Sequence, residues 1–248
     1  MKIGEKRAQV SVFIIIAIII LVIIVSFFLL NFTDIKSNEE IYPDILPVYL
    51  HVQNCVNKVG EESIYYIGET GGYLEIPEPS LDNIAFYLHD GKNYMPSKEK
   101  IEEQLSFYMD FMLPFCILDF EELPDFQINF GEIKTKTFIE EQKVVFDIEY
   151  PLSIKKGENS YFLKNFNMEI HVKLGVIYDS IKEYMDVQMN KTDSVCASCL
   201  YSLGEKNELN FHVLDTNESN ILLFIARDEN IKILGEDYHF YFANKLDK

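Results

Sequence analysis

The chain has 248 residues, 48% of them apolar, which is enough for one large domain or two small ones and excludes global disorder. Its formal net charge is −18, a surface that repels phosphate backbones and anionic lipid and so excludes nucleic acid as a partner. Arginine occurs only as Arg7 and Arg227, so bidentate clamps for phosphate or carboxylate ligands are nearly missing.

The charge is unevenly spread. Lys2, Lys6, Arg7 and Glu5 precede a stretch, residues 9–32, with no charge at all. Beyond residue 32 there are 19 basic and 39 acidic residues, a net of −20. Residues 10–30 read VSVFIIIAIIILVIIVSFFLL. At about 1.5 Å per residue they span roughly 30 Å as a helix, the thickness of a hydrocarbon core. The basic flank lies before this run, and the flank after it, residues 31–40, has one base and three acids. The positive-inside bias therefore predicts a single transmembrane helix over residues 9–32, a cytoplasmic leader over residues 1–8, and an extracytoplasmic remainder. A cleaved secretory signal would have a shorter apolar region and a small-residue cleavage site, and Ser26-Phe-Phe-Leu-Leu-Asn-Phe32 offers no clear one.

Lys6-Arg7-Ala8-Gln9-Val10-Ser11 followed by the apolar run resembles the class III signal peptide of archaeal type IV pilin-like proteins. The resemblance covers about 25 residues and implies cleavage between Ala8 and Gln9 on the cytoplasmic side, leaving the helix attached. That family usually carries Glu at the fifth mature position, where it helps subunits assemble. This chain has Phe13 there, which favours anchoring over filament assembly. The chain as a whole is also similar to uncharacterised archaeal single-pass surface proteins, a likeness that brings no activity with it.

Residues 33–43 read as a linker ending at Pro43, and residues 44–248 as one extracytoplasmic domain. Ile45, Tyr49, Val52, Val56 and Val59, with Val48 and Cys55, predict a helix over 45–67 that stops near Gly68. Tyr73–Ile76 is expected as a short strand. Ile84–Leu88 and Tyr94-Met95 flank His89–Asn93 as a hairpin. Ser97 is the candidate N-cap of a second helix with the stripe Ile101, Leu105, Tyr108, Met112 and Phe115, which Pro114 should bend or end. Alternation around Val144–Tyr150 and Phe166–Val172 predicts two antiparallel strands joined at Lys155–Asn159. Leu174, Ile177, Tyr178, Ile181 and Met185 give a third helix. Leu209–Leu214, Ile221–Ala226 and Tyr238–Ala243 follow as strands, the all-apolar second one at the sheet centre. No regular βαβ alternation appears. The expected class is α+β, a mainly antiparallel sheet with helices packed on one face.

Four cysteines in an extracytoplasmic domain favour disulfides. Cys55 and Cys116 both lie on apolar helical stripes, which predicts a bridge between the two helices. Cys196-Ala-Ser-Cys199 reads as a short structural disulfide, or alternatively as a redox pair. Asn31, Asn190 and Asn217 each open a glycosylation sequon.

Catalytic signatures such as GxSxG, HExxH, a Walker loop and GxGxxG do not occur. No cofactor motif and no zinc ligand set is visible. His171, His212 and His239 alternate opposite apolar residues and are expected on the outer face of the sheet. Asp119–Asp125 is the densest acidic run but lacks the glycine and spacing of an EF-hand. The reading is a non-enzymatic envelope protein in the cell membrane, with a pilin-like subunit or an adhesion module as its role and self-association or envelope proteins as partners. The alternatives are an extracytoplasmic thiol–disulfide protein using Cys196 and Cys199, and an envelope hydrolase with an unrecognised acidic site.

Overall fold

The computed structural model describes residues 20–21, 41–216 and 218–247. The apolar run before the linker lies outside the described residues except for Ile20 and Leu21, which are helical and exposed. Among the described residues no helix is long and apolar enough to cross a membrane.

Residues Ile41–Lys248 form one compact unit. A 3-10 turn at Pro43–Ile45 leads into helix α1, Leu46–Thr70. The helix passes Gly68 and ends at Gly71, whose left-handed φ of 72° returns its N–H to Ile67 O. Val48, Val52, Val56, Val59, Ile64 and Ile67 point into the core. Tyr73–Ile76, expected as a strand, makes no ladder. Leu74 N–H instead donates to Gln104 Oε1, so a side chain satisfies this backbone.

Two sheets follow, where a single one was expected. In the first, strands β1 (Ser80–Leu81), β2 (Ile84–His89), β10 (Glu236–Lys245), β9 (Ile221–Ile233) and β8 (Asn210–Asp215) lie in that order, and β3 (Lys92–Asn93) completes the β2 hairpin. The β2–β10 pair is parallel and the other pairs are antiparallel. The parallel register slips between Ala243 and Asn244. There the buried Asn244 supplies its Oδ1 to Leu88 N–H, replacing the ladder bond lost at the irregularity.

In the second sheet the long strand β6 (Val144–Lys156) pairs with β7 (Asn159–Ile170) on one side. On its other side it pairs with β5 (Lys134–Ile139) and β4 (Gln127–Phe130). Helix α1 touches β10, β9 and β2 of the first sheet and β7 of the second. One continuous hydrophobic core therefore serves both sheets. It contains the ring stack Tyr87–Phe242–Phe224, with centroids 4.9 and 4.8 Å apart.

Helix α2, Lys98–Ile117, starts at Ser97, whose Oγ accepts from Lys100 N–H. Pro114 lies inside it without ending it. Helix α3, Leu174–Gln188, and helix α4, Ala197–Asn207, precede β8. The buried Gln188 at the end of α3 accepts from Tyr184 Oη and donates to Lys191 O and Ser194 O. It thus ties down the loop that leads to α4.

Candidate functional site

Helix α2 is the element around which the unusual surface chemistry gathers. Its side chains fall into four rows spaced four residues apart. Ile101, Leu105, Met109, Leu113 and Ile117 are buried in the core. Tyr108 and Cys116 face α1, meeting the Tyr66 ring and Cys55. Glu102, Ser106 and Asp110 face strand β5. Phe107, Phe111 and Phe115 face outward, each more than half exposed. Phe115 was expected on the buried stripe. The buried row runs instead through Ile101, Leu105, Met109, Leu113 and Ile117, rotating around the helix as α2 crosses the core, which turns Phe115 outward.

The row facing β5 matches strand to helix. Ile139 N–H donates to Glu102 Oε1 at 2.8 Å. Ser106 Oγ meets Thr137 Oγ1 at 2.9 Å. Asp110 faces Thr135. One step of four residues along a helix is about 6 Å, close to the roughly 6.6 Å of two residues along a strand. Polar residues 102, 106 and 110 therefore stay in step with 139, 137 and 135 and cover the free edge of β5, which would otherwise template pairing with another chain. This is why β5 keeps threonine on its inner side, with Thr135 and Thr137 buried.

Burial lifts the Asp110 carboxyl above the usual aspartate range, although the Thr135 hydroxyl and N–H pull the other way. Its Oδ1 and Thr135 Oγ1 are both buried without a well-formed hydrogen bond. A raised acid favours its protonated form in the fold, so its relative stabilisation is full at low pH and is lost as pH rises through the shifted value. Asp110→Asn is expected to gain stability over the native chain between pH 4 and pH 7.5. At this half-buried site solvent screening keeps the gain below about 1 kcal/mol. Melting curves of both proteins across that range check it, and a constant difference would refute the assignment.

Both disulfides are present. Cys55–Cys116 joins α1 to α2 across 61 residues of sequence, as the two stripes predicted, and Cys196–Cys199 closes on itself. Cys196 is the N-cap of α4, and Cys199 lines a 310 Å³ recess with Glu183, Val187, Ser198, Ser202, Leu203 and Lys206.

Ala8 and Gln9, Asn31 and Asn217 lie outside the described residues. Asn190 is exposed in the turn after α3, where its Nδ2 donates to Asp186 O. His212 and His239 share the outer face of the first sheet, since they pair with Ile225 and Arg227 of β9. His171 follows β7 of the other sheet. The acidic run 119–125 forms turns, and among the described residues no three His, Cys, Asp or Glu side chains gather as a metal site.

A further titratable group was not legible in the sequence. Burial raises Glu69 near the end of α1, with His239 lowering it and Glu236 raising it. The Tyr65 hydroxyl is raised, first by the Glu69 charge and then by burial and the neighbouring Glu236. These residues are far apart in the chain and meet only because α1 packs along β10.

No protein-family model matches this chain, and no curated protein matches it.

Proposed function

We propose that this is a single-pass envelope protein of structural or interaction type, anchored by residues 9–32 and carrying its α+β domain outside the cytoplasm. The observation that carries this reading is the uninterrupted apolar run behind Lys6-Arg7-Ala8-Gln9. Two disulfides suit an oxidising compartment. The exposed Asn190 sequon, in a turn, is open to a glycan. On this reading the leader is removed before Gln9, and Phe13 makes the helix an anchor rather than a filament core. Mass spectrometry of the native protein is expected to find Gln9 as the N-terminus, both disulfides intact and a modified Asn190. An intact Met1 together with recovery in the soluble fraction would overturn the proposal.

A second reading, thiol–disulfide exchange, has one observation in its favour: the Cys196–Cys199 pair sits at the N-terminus of α4, where the helix dipole favours a thiolate. Nothing comparable supports the hydrolase reading beyond the Glu69–Glu236 proximity. Alkylation after exposure to millimolar glutathione, read in the same spectra, separates the two roles. A structural staple stays oxidised, and an exchange pair is labelled at Cys196 and Cys199 while Cys55–Cys116 persists.

A further inference from the structure

The outward row of α2 leaves three neighbouring phenylalanines uncovered. Phe107, Phe111 and Phe115 are 59, 57 and 62% exposed and form a continuous ridge, with ring centroids 6.2 and 5.6 Å apart. Two grooves lie along one side of the ridge, between α2 and strands β4 and β5. One, of about 440 Å³, is lined by Phe107, Pro114, Phe130, Ile133 and Tyr150. The other, of about 490 Å³, places Phe107 beside Phe138. Phe130 and Phe138 are themselves 48 and 47% exposed.

Packing inside the domain does not require this ridge. The core row already fills α2's inner side, and the Glu102–Ser106–Asp110 row already covers the β5 edge. The stretch Gln104–Leu118 holds a single charged residue, Asp110, and that one is turned toward Thr135. In a domain with a net charge of −18, an uncharged aromatic face about 12 Å long stands apart from the acidic surface.

We infer that this face binds a second copy of the same chain through antiparallel packing of α2 on α2. The ridge is self-complementary about Phe111. A two-fold axis there sets Phe107 against the partner's Phe115 and the reverse, as an isologous contact requires. The ridge of each copy, with residues spaced four apart, then lies along the grooves on the β5 side of the other, as ridges-into-grooves packing requires. Phe107, Phe111, Phe115, Phe130 and Phe138 together offer roughly 500 Å² per copy, so a pair buries roughly 1,000 Å², near the lower bound of specific interfaces. A lipid surface fits less well. The rim carries Glu99, Glu102, Glu103 and Glu132 against Lys136, whereas interfacial segments are basic at the rim. The same rims repel each other across the pair, so the association tightens as salt screens them. The inference stands on the folded domain and not on the reading of the N-terminal segment.

The test uses the full chain in dilute proteoliposomes of zwitterionic lipid. All four native cysteines are paired, so an introduced cysteine is the only free thiol. Phe111→Cys, at the two-fold axis, is expected to cross-link to a dimer under mild oxidation about ten-fold faster than Tyr201→Cys, because pairing raises the effective concentration of the facing thiol. Tyr201 is 71% exposed on α4. Adding Phe107→Glu to Phe111→Cys should abolish the excess while leaving circular dichroism and melting unchanged, since position 107 is solvent-facing. Raising salt from about 50 to 500 mM should increase the excess. Equal rates at the two positions overturn the inference. So does a polarity-sensitive dye on Phe111→Cys that is blue-shifted in the proteoliposomes at a dilution where the undyed variant shows no cross-linking excess, which would assign the face to the bilayer.

Discussion

Alanine at both Cys55 and Cys116 is expected to cost about 4 kcal/mol of stability, the chain-entropy value for a loop of this length. The bridge spans 61 residues of sequence and ties the middle of α1 to the last turn of α2. Those residues include the β1–β2–β3 region and nearly all of α2, so releasing them frees a large part of the unfolded ensemble. Against a total stability of about 5–15 kcal/mol, a loss of this size leaves a marginal fold. The same replacement at Cys196 and Cys199, which are three residues apart, is expected to cost at most about 2 kcal/mol in the same model. Denaturant midpoints of the two double variants, measured without reductant, check the contrast. Equal shifts would mean that the first bridge constrains far less than its loop suggests.

Gly68→Ala is the second large effect, and its sign is opposite to the helix rule. In an ordinary helix interior the change gains about 1 kcal/mol. Here an added Cβ would lie 2.3 Å from His239 O and 3.2 Å from the Tyr238 ring. The obstacle is strand backbone and cannot swing away, so α1 must move off β10. A net loss of about 1–3 kcal/mol follows, a fall in melting temperature of roughly 3–10 °C for a domain of this size. Gly60→Ala in the same helix is the control. Its nearest obstacle is the terminal methyl of Met168 at 1.9 Å, the end of a flexible side chain that can rotate away. That variant is expected to stay within about 1 kcal/mol of the native chain. If both glycines tolerate alanine equally, the close approach of α1 to β10 is not what position 68 serves.

Gly68 also marks where sequence reading ran out. As a helix breaker it was expected to end α1, but the helix continues to Gly71. A glycine that permits close backbone contact and one that terminates a helix look alike until the partner strand is in place. Strand β5 eluded the pattern for a related reason. Lys134-Thr-Lys-Thr-Phe-Ile139 alternates, yet its inward residues include two threonines, which hydrophobic periodicity counts as surface. They face inward opposite Ser106 and Asp110 of α2, about thirty residues away, and Ser106 Oγ hydrogen-bonds the Thr137 hydroxyl. Without β5 and β4 the second sheet was invisible, and one sheet was expected where there are two. Helix α4 was missed because Ala197–Asn207 is short and buries only Leu200, Leu203 and Gly204. By contrast, α1, α3, the β6–β7 hairpin and the Ser97 cap were legible, because each is set by contacts within a few residues of sequence; the hairpin after β2 was legible as a hairpin, but its return strand is Lys92–Asn93, inside the expected turn, and not Tyr94-Met95.

The sequence by itself determined the long apolar segment and its charged flanks, the acidic character of the remainder, the α+β class, and the pairing of Cys55 with Cys116 through two apolar helical stripes. These follow from local periodicity and charge, which need no partner to be read. Only the tertiary structure decided that Phe115 faces solvent beside Phe107 and Phe111, that Glu69 meets Glu236 and His239, and that polar residues of α2 cover the edge of β5. Each of these depends on which of several near-equivalent helix faces the core claims. That competition is settled by packing between elements distant in the chain.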